Sequence, residues 1–421
     1  MKKLLLALLM ISSIIIVMQA QTYTSATNGN WTNPTTWNPV GVPVTFTSVT
    51  INHNVTLNTD FIYYSGDVVI GNNGTLAEDA TQRAFVTDGG TLTINGTMTV
   101  HTYALNSGSF ENYGTFNVPV LYFGDDAYNE GLIDNVDSLL NEFELENAVG
   151  AVINADKLYN DMYLYNVGDI NGWDYYNDGD LDNGSGGEII FINFFNADSA
   201  YNYGTIGFND HTNAGYFENY SNMEGGHDFT NMGDFENYGS FLVINDFMNA
   251  DTIASDAYFY TEGLVTVGNN FLNADTIEGT ASAQFCVEMN SGNSGEMIGD
   301  FDFCDNTPPA NPPFIDYNTG NIDAGIVYCV TPCQSGIIQA SVAVTDVSVY
   351  PNPAWNSVHV DIKSEFTFAN IFIYNITGNI AAYRSLTGSD IVDLEDLHSG
   401  IYLYRIIIDG KGEIAGKLVI E

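Results

Sequence analysis

The sequence predicts an all-β fold: a parallel β-helix (solenoid) body followed by a C-terminal immunoglobulin-like β-sandwich. Three observations predict it. Short runs of Val, Ile, Thr, Phe and Tyr are punctuated every few residues by turn formers, among them 41 Gly, and helical periodicity is almost absent. A unit of the form Phe-x-Asn-x-Gly-x-Phe recurs at near-multiples of six residues. Near residue 346 these units stop and basic residues return.

Lys2 and Lys3, the apolar run Leu4 to Val17 and the small residue at Ala20 read as a secretory signal peptide over 1–20, cleaved after Ala20. The run is shorter than the roughly 18–20 residues a spanning helix needs. No second apolar run follows, so no transmembrane segment is expected in the mature chain. The 401 residues that remain of 421 exceed what one compact core holds, which calls for several domains or a repeat.

Charge is extreme and uneven. Residues 21–341 carry 42 acids, and their only bases are Arg83 and Lys157. Such a body repels nucleic acid and other polyanions, and it invites a divalent cofactor, calcium first. Disorder is excluded by a hydrophobic content of 45% and an aromatic content of 13%.

Phe-Glu-Asn-Tyr occurs at 110–113, 217–220 and 235–238, and Phe-x-Asn-Ala-Asp-Thr-Ile at 247–253 and 271–277. Strand parity puts Phe235, Asn237, Gly239 and Phe241 on one side and Glu236, Tyr238 and Ser240 on the other. The apolar set must face inward, which takes Asn237 in with it. A buried amide needs partners, and stacked copies supply them along the axis. Gly two residues later permits a bend with positive φ. Three such units make a coil of about 18 residues and a fourth makes about 24, giving about 12–15 coils over 61–335.

Residues 21–60 are read as the cap of the first coil. Asn30-Trp31-Thr32-Asn33-Pro34-Thr35-Thr36-Trp37, with Val42-Pro43 and Val49-Thr50-Ile51-Asn52, resembles the opening segment of bacterial surface β-helix (adhesin-like) proteins. At the other end Cys286, Cys304, Cys329 and Cys333 are disulfide candidates with three possible pairings. Cys286 and Cys304 lie 18 residues apart, about one coil. Residues 336–345 read as a linker.

Segment 346–421 alternates through about seven short strands. Tyr350-Pro351-Asn352-Pro353, Gly378, Leu397-His398-Ser399-Gly400-Ile401-Tyr402 and Gly416-Lys417-Leu418-Val419-Ile420 resemble the type A C-terminal sorting domain of type IX secretion cargo. That resemblance implies handling by the type IX machinery and a secreted or outer-membrane cell-surface location in a Gram-negative bacterium. It assigns the sorting signal to Pro351, Asn352, Pro353, Gly378, Gly400, Tyr402, Lys417 and Val419.

Catalytic motifs are sparse. A polysaccharide lyase lacks basic residues to use, and with so many acids a carboxylate pair at glycosidase spacing carries no information. His53, His101, His211 and His227 show no metal spacing and read as surface residues. Asp178, Asp180 and Asp182 approach a calcium loop, but Gly184 is one residue late; another Asn-x-Gly bend at Asn177-Asp178-Gly179 is preferred. The expectation is a non-catalytic surface protein serving adhesion, matrix or coat structure, with cell-surface polysaccharide or host and matrix glycans as candidate partners. Its rival is a carbohydrate-active enzyme or glycan-binding protein on the same scaffold.

Overall fold

The computed structural model describes residues 21–251, 257–307, 315–330, 347–363, 369–374, 380–386, 390–394, 397–408 and 412–421. The proposed signal peptide, Cys333, Gly378 and the linker 336–345 lie outside the described residues. No α-helix occurs among the described residues, and the body is a parallel β-solenoid of about 14 turns. Contacts divide the chain into two units, one running to Val136 with Glu142–Leu145, the other comprising Asp137–Asn141 and Glu146–Glu421.

In the first unit, Thr22–Ser25 pairs in parallel with Ser48–Ile51 and antiparallel with Trp37–Asn38. The parallel ladder then runs through Val68–Ile70 to Ala84–Ile94 and Thr102–Asn112. Trp31 and Trp37 are fully buried and pack edge to face at 5.0 Å. Each indole N–H is satisfied by a carbonyl, Trp31 by Pro43 at 3.3 Å and Trp37 by Trp31 at 2.8 Å. Phe61, Tyr64 and Phe85 complete this aromatic plug.

The inward position that becomes Asn further along starts as aliphatic. Ile51, Ile70 and Ile94 stack in register and lead to Asn112, which donates to Asn129 at 2.7 Å.

The second unit shows why the repeat has its period. The repeat strands alternate outward and inward, as in Tyr216–Asn219, Asp234–Asn237 and Tyr258–Thr261. Phe217, Phe235 and Phe259 occupy one register position in successive coils and stack at 5.0 and 5.1 Å. Two residues on, Asn219 donates to Asn237 at 2.8 Å. Two such amide ladders run along the unit. One joins Asn147, Asn166, Asn183, Asn202, Asn219 and Asn237, and ends on the Thr261 hydroxyl. The other joins Asn141, Asn160, Asn177, Asn196, Asn213, Asn231, Asn249, Asn273, Asn293 and Asn318. The separation of 12 residues from Asn237 to Asn249 is a step from one ladder to the other.

Asn249 and Asn273 are 24 residues apart, and the described part of that coil carries Tyr258–Thr261, Leu264–Val267 and Phe271–Asn273. One expectation needs correction: the bend glycines do a different job. Positive φ occurs at Gly89, Gly90, Gly108, Gly150, Gly186 and Gly299, not at Gly239. A Cβ on Gly239 would sit 2.0 Å from the Ser221 carbonyl oxygen. Glycine is needed there because successive coils touch backbone to backbone.

Cys304 and Cys329 form a disulfide across 25 residues, joining two adjacent rungs at the far end of the ladder. A closure of that size contributes on the order of 3 kcal/mol. Cys286 stands in register with Cys304 and is also disulfide-bonded.

Segment 347–421 forms antiparallel sheets of three and four strands over a shared apolar core that includes Val358, Val360, Ile371, Ile373, Ile406 and Leu418.

The amide ladder predicts a sharp contrast in the second unit. Asn196 accepts from Asn177 and donates to Asn213, Asp198 and Tyr216. Asn196→Leu strands those carbonyls and lowers stability by about 2–4 kcal/mol. Asn193→Ala on the outer face costs under about 0.5 kcal/mol. Urea melts of the two variants check this.

Candidate functional surfaces

Three surfaces carry the chemistry: the sorting segment, an outer tyrosine–glutamate face and a polar bend.

In the sorting segment the Pro-Asn-Pro motif holds the last strand. The Asn352 side chain donates to the Lys417 carbonyl at 2.5 Å and accepts the Val419 N–H at 2.9 Å. Ala354 continues the contact, donating to Val419 at 2.7 Å and accepting from Glu421 at 2.8 Å. Asn352 therefore acts as one more rung beside Ala354 on the outer edge of the last strand, with Pro351 and Pro353, which have no N–H, on either side. Gly400 pairs with Ile420, and the Tyr402 hydroxyl donates to the His398 carbonyl at 2.9 Å. Lys417 is exposed and Val419 half-buried. The structure thus brings Asn352, Lys417, Val419 and Gly400 to one end of one strand pair.

On the solenoid, Tyr203, Tyr220 and Tyr238 lie in register and stack at 4.8 Å with interplanar angles of 4° and 8°. Beside them the phenols bind carboxylates. Tyr216 donates to Glu218, Tyr238 to Glu236 at 2.5 Å, Tyr258 to Glu278 at 2.7 Å and Tyr260 to Glu262 at 2.6 Å. A phenol that donates to a carboxylate resists ionisation, and the Glu262 bond pushes Tyr260 up to about 12. The ring faces are used by one another, so this row offers edges and oxygens rather than a flat platform for a sugar. Carboxylate proximity here follows from the spacing of coils, about 4.8 Å.

Directly before Phe229, Phe247 and Phe271, carboxylates of one coil cap the next. Asp210 accepts the Asp228 N–H at 3.2 Å, Asp228 the Asp246 N–H at 3.2 Å, and Asp246 the Asn270 N–H at 3.1 Å. The sequence signal was an Asp or Asn directly before the inward residue, as in Asp228-Phe229, Asp246-Phe247 and Asn270-Phe271.

Asp178, Asp180 and Asp182 are not brought together. Asp180 and Asp182 point outward from Asp180–Asn183 on either side of buried Leu181, about 7 Å apart by strand geometry. Asp178 follows Asn177, which is a ladder residue. Among the described residues, the acids and histidine that converge within 4.8 Å are Asp210, His227 and Asp228. The body's two bases are engaged, Arg83 with Asp79 at 2.7 Å and Lys157 with Asp174 at 3.9 Å.

His211 overturns the surface reading. It is buried among Phe194, Phe208, Phe217 and Phe229 with ring centroids 4.8–5.4 Å away. Neither ring nitrogen has a hydrogen-bond partner. It occupies the inward position filled by phenylalanine in the coils on either side. Burial lowers its pKa to about 3.

A parallel β-solenoid joined to such a C-terminal segment defines the class: an exported repeat protein. Residues 348–421 match the family model described as a secretion system C-terminal sorting domain. No curated protein and no solved structure matches the chain. The type IX sorting tail indicates secretion across the outer membrane, to the cell surface or the medium, by the type IX machinery. No helix among the described residues is long and apolar enough to cross a membrane.

Two outcomes follow. Because the folded state keeps His211 neutral, its contribution is whole above the unfolded value of about 6.5 and falls away as pH drops toward 3. His211→Phe removes that dependence, so its advantage over the wild type grows by about 2–3 kcal/mol between pH 6.5 and 4.5 in paired urea melts. Asn352→Ala frees the terminal strand edge, costs about 1–2 kcal/mol of tail stability, and lowers the secreted fraction seen by immunoblot of cells and medium. Undiminished secretion would contradict the role given to Asn352.

Proposed function

We propose that the exported body is a non-catalytic structural protein of the cell surface, serving adhesion, matrix or coat assembly. The tail directs export and is removed in the region of residues 334–345, leaving the body attached or released. The observation that carries this reading is the tyrosine–glutamate face. Its phenol donors and ring faces are spent within its own lattice, which makes it a rigid, regular surface with many equivalent oxygens. Adhesion and coat assembly use such repetition, because many weak equal contacts add up. A glycosidase needs one acid whose environment separates it from a second carboxylate. Here Glu218, Glu236 and Glu278 belong to one column, with Tyr260 between the last two.

The rival reading, a glycan-binding or carbohydrate-active protein, is favoured by the tyrosines themselves, since their exposed edges and hydroxyls can hydrogen-bond a polysaccharide. Applying the secreted protein to a glycan array and to surfaces coated with the organism's own matrix separates the two. The proposal predicts matrix binding that falls at least tenfold when Tyr203, Tyr220 and Tyr238 are changed to Ser, with no glycan shortened. Release of reducing ends from any bound glycan would overturn it.

A further inference from the structure

The polar bend contains one coil that breaks its own pattern. Along this bend Asn209, His227, Asn245 and Asn269 follow one another, one per coil. Asn269 donates to the Asn245 side-chain oxygen at 3.0 Å, as a ladder member should. Asn245 donates to His227 Nε2 at 3.5 Å and to Asp228 at 2.6 Å. The chain of donors then stops. His227 Nδ1 turns to two carboxylates instead, Asp210 Oδ1 at 2.8 Å and Asp228 Oδ2 at 3.2 Å.

Asn209 is left unserved. It is 7% exposed, its Nδ2 lies 3.4 Å from Asp210 Oδ2, and its Oδ1 has no hydrogen-bond partner. The His227 N–H donates to the Asn209 carbonyl at 2.9 Å, so His227 sits in the coil directly above. The orphan oxygen packs toward the backbone of that coil at Gly226, where an added Cβ would lie 3.2 Å away. A buried carbonyl oxygen without a donor costs about 1–3 kcal/mol unless something electropositive meets it. The nitrogen of the same amide faces Asp210, one of two carboxylates that with an imidazole bring their ligand atoms within 4.8 Å of one another.

We infer that Asp210, His227 and Asp228, with the Asn209 side-chain oxygen, form a binding site for one divalent transition-metal ion of the zinc class. The donor set decides the class: a neutral imidazole nitrogen suits zinc, cobalt or nickel and is a poor calcium ligand, while the carboxylates supply the charge. Binding requires His227 Nδ1 to give up its proton, which leaves Nε2–H to donate to an Asn245 amide turned to accept it. The ion replaces the proton between His227 and the carboxylates, and the Asn209 amide turns over so that its oxygen, in place of Nδ2, faces the ion. Because Asp210 and His227 come from successive coils, the ion is a staple between them.

The test uses the full chain, freed of metal by chelator. Calorimetric titration with zinc is expected to give one site per chain, unchanged by millimolar calcium. Cobalt in place of zinc gives the visible absorption of a low-coordinate site. His227→Gln and Asp210→Asn each weaken zinc binding at least tenfold, whereas Asp178→Asn does not. Zinc raises the melting temperature of the wild type and leaves that of His227→Gln unmoved, with circular dichroism reporting that the variant is folded; His227→Asn serves if it is not. No zinc binding, zinc binding indifferent to His227, or displacement by calcium would each overturn the assignment.

Discussion

The amide side chain of asparagine, turned into an apolar core, is the constraint on which the body depends. In that position it must find a donor and an acceptor, and it finds them in the equivalent residue of the neighbouring coils and in nearby backbone carbonyls, as Asn196 does. The bonds at 2.7–2.9 Å therefore hold each coil in register with the next. A slip of one residue would turn every Asn outward and every charged neighbour inward. The flanking phenylalanines supply burial, but they tolerate small displacements; the amides do not. The bond from Asn249 to Asn273, at 2.8 Å, keeps the register although 24 residues separate the two.

Much of this was legible in the chain, because parity and chemistry conflict at one residue type. A polar side chain on the apolar face of Phe-x-Asn-x-Gly-x-Phe makes sense only when copies stack. What was not legible shares a cause: it depends on the neighbouring coil rather than on the local pattern. Gly239 looks like a bend residue with positive φ, and only the Ser221 carbonyl in the next coil reveals the real reason for it. His211 looks like a surface histidine until its register places it between Phe194 and Phe229. The convergence of Asp210, His227 and Asp228 is likewise invisible, since 17 residues separate Asp210 from His227 and only the coil length brings them together. Asp178, Asp180 and Asp182, close in sequence, are kept apart by the same strand alternation that made the fold readable.

Body and tail obey different physics, and their functions divide along that line. The tail is an antiparallel sheet pair whose Asn352 holds one strand edge, and its motifs follow one another along the chain, which is why short sequence runs identified it. The body's surface repeats by register, so its properties belong to columns of residues from many coils. Acid columns and stacked phenols recur at about 4.8 Å, a spacing suited to an extended partner. The export route is thus read from one end of the chain and the surface chemistry from the stacking of the rest.

The central claim is that the inward amides are hydrogen-bonded from coil to coil in the folded protein. Hydrogen exchange of the asparagine side-chain amides, followed by NMR on the full chain, tests it most directly. The account predicts that the Nδ2 protons of Asn177, Asn196, Asn213 and Asn231 exchange as slowly as the backbone amides of the same strands. Exchange at the rate of the outward Asn193 would mean that the amides are not so bonded, and the account of the fold would fail.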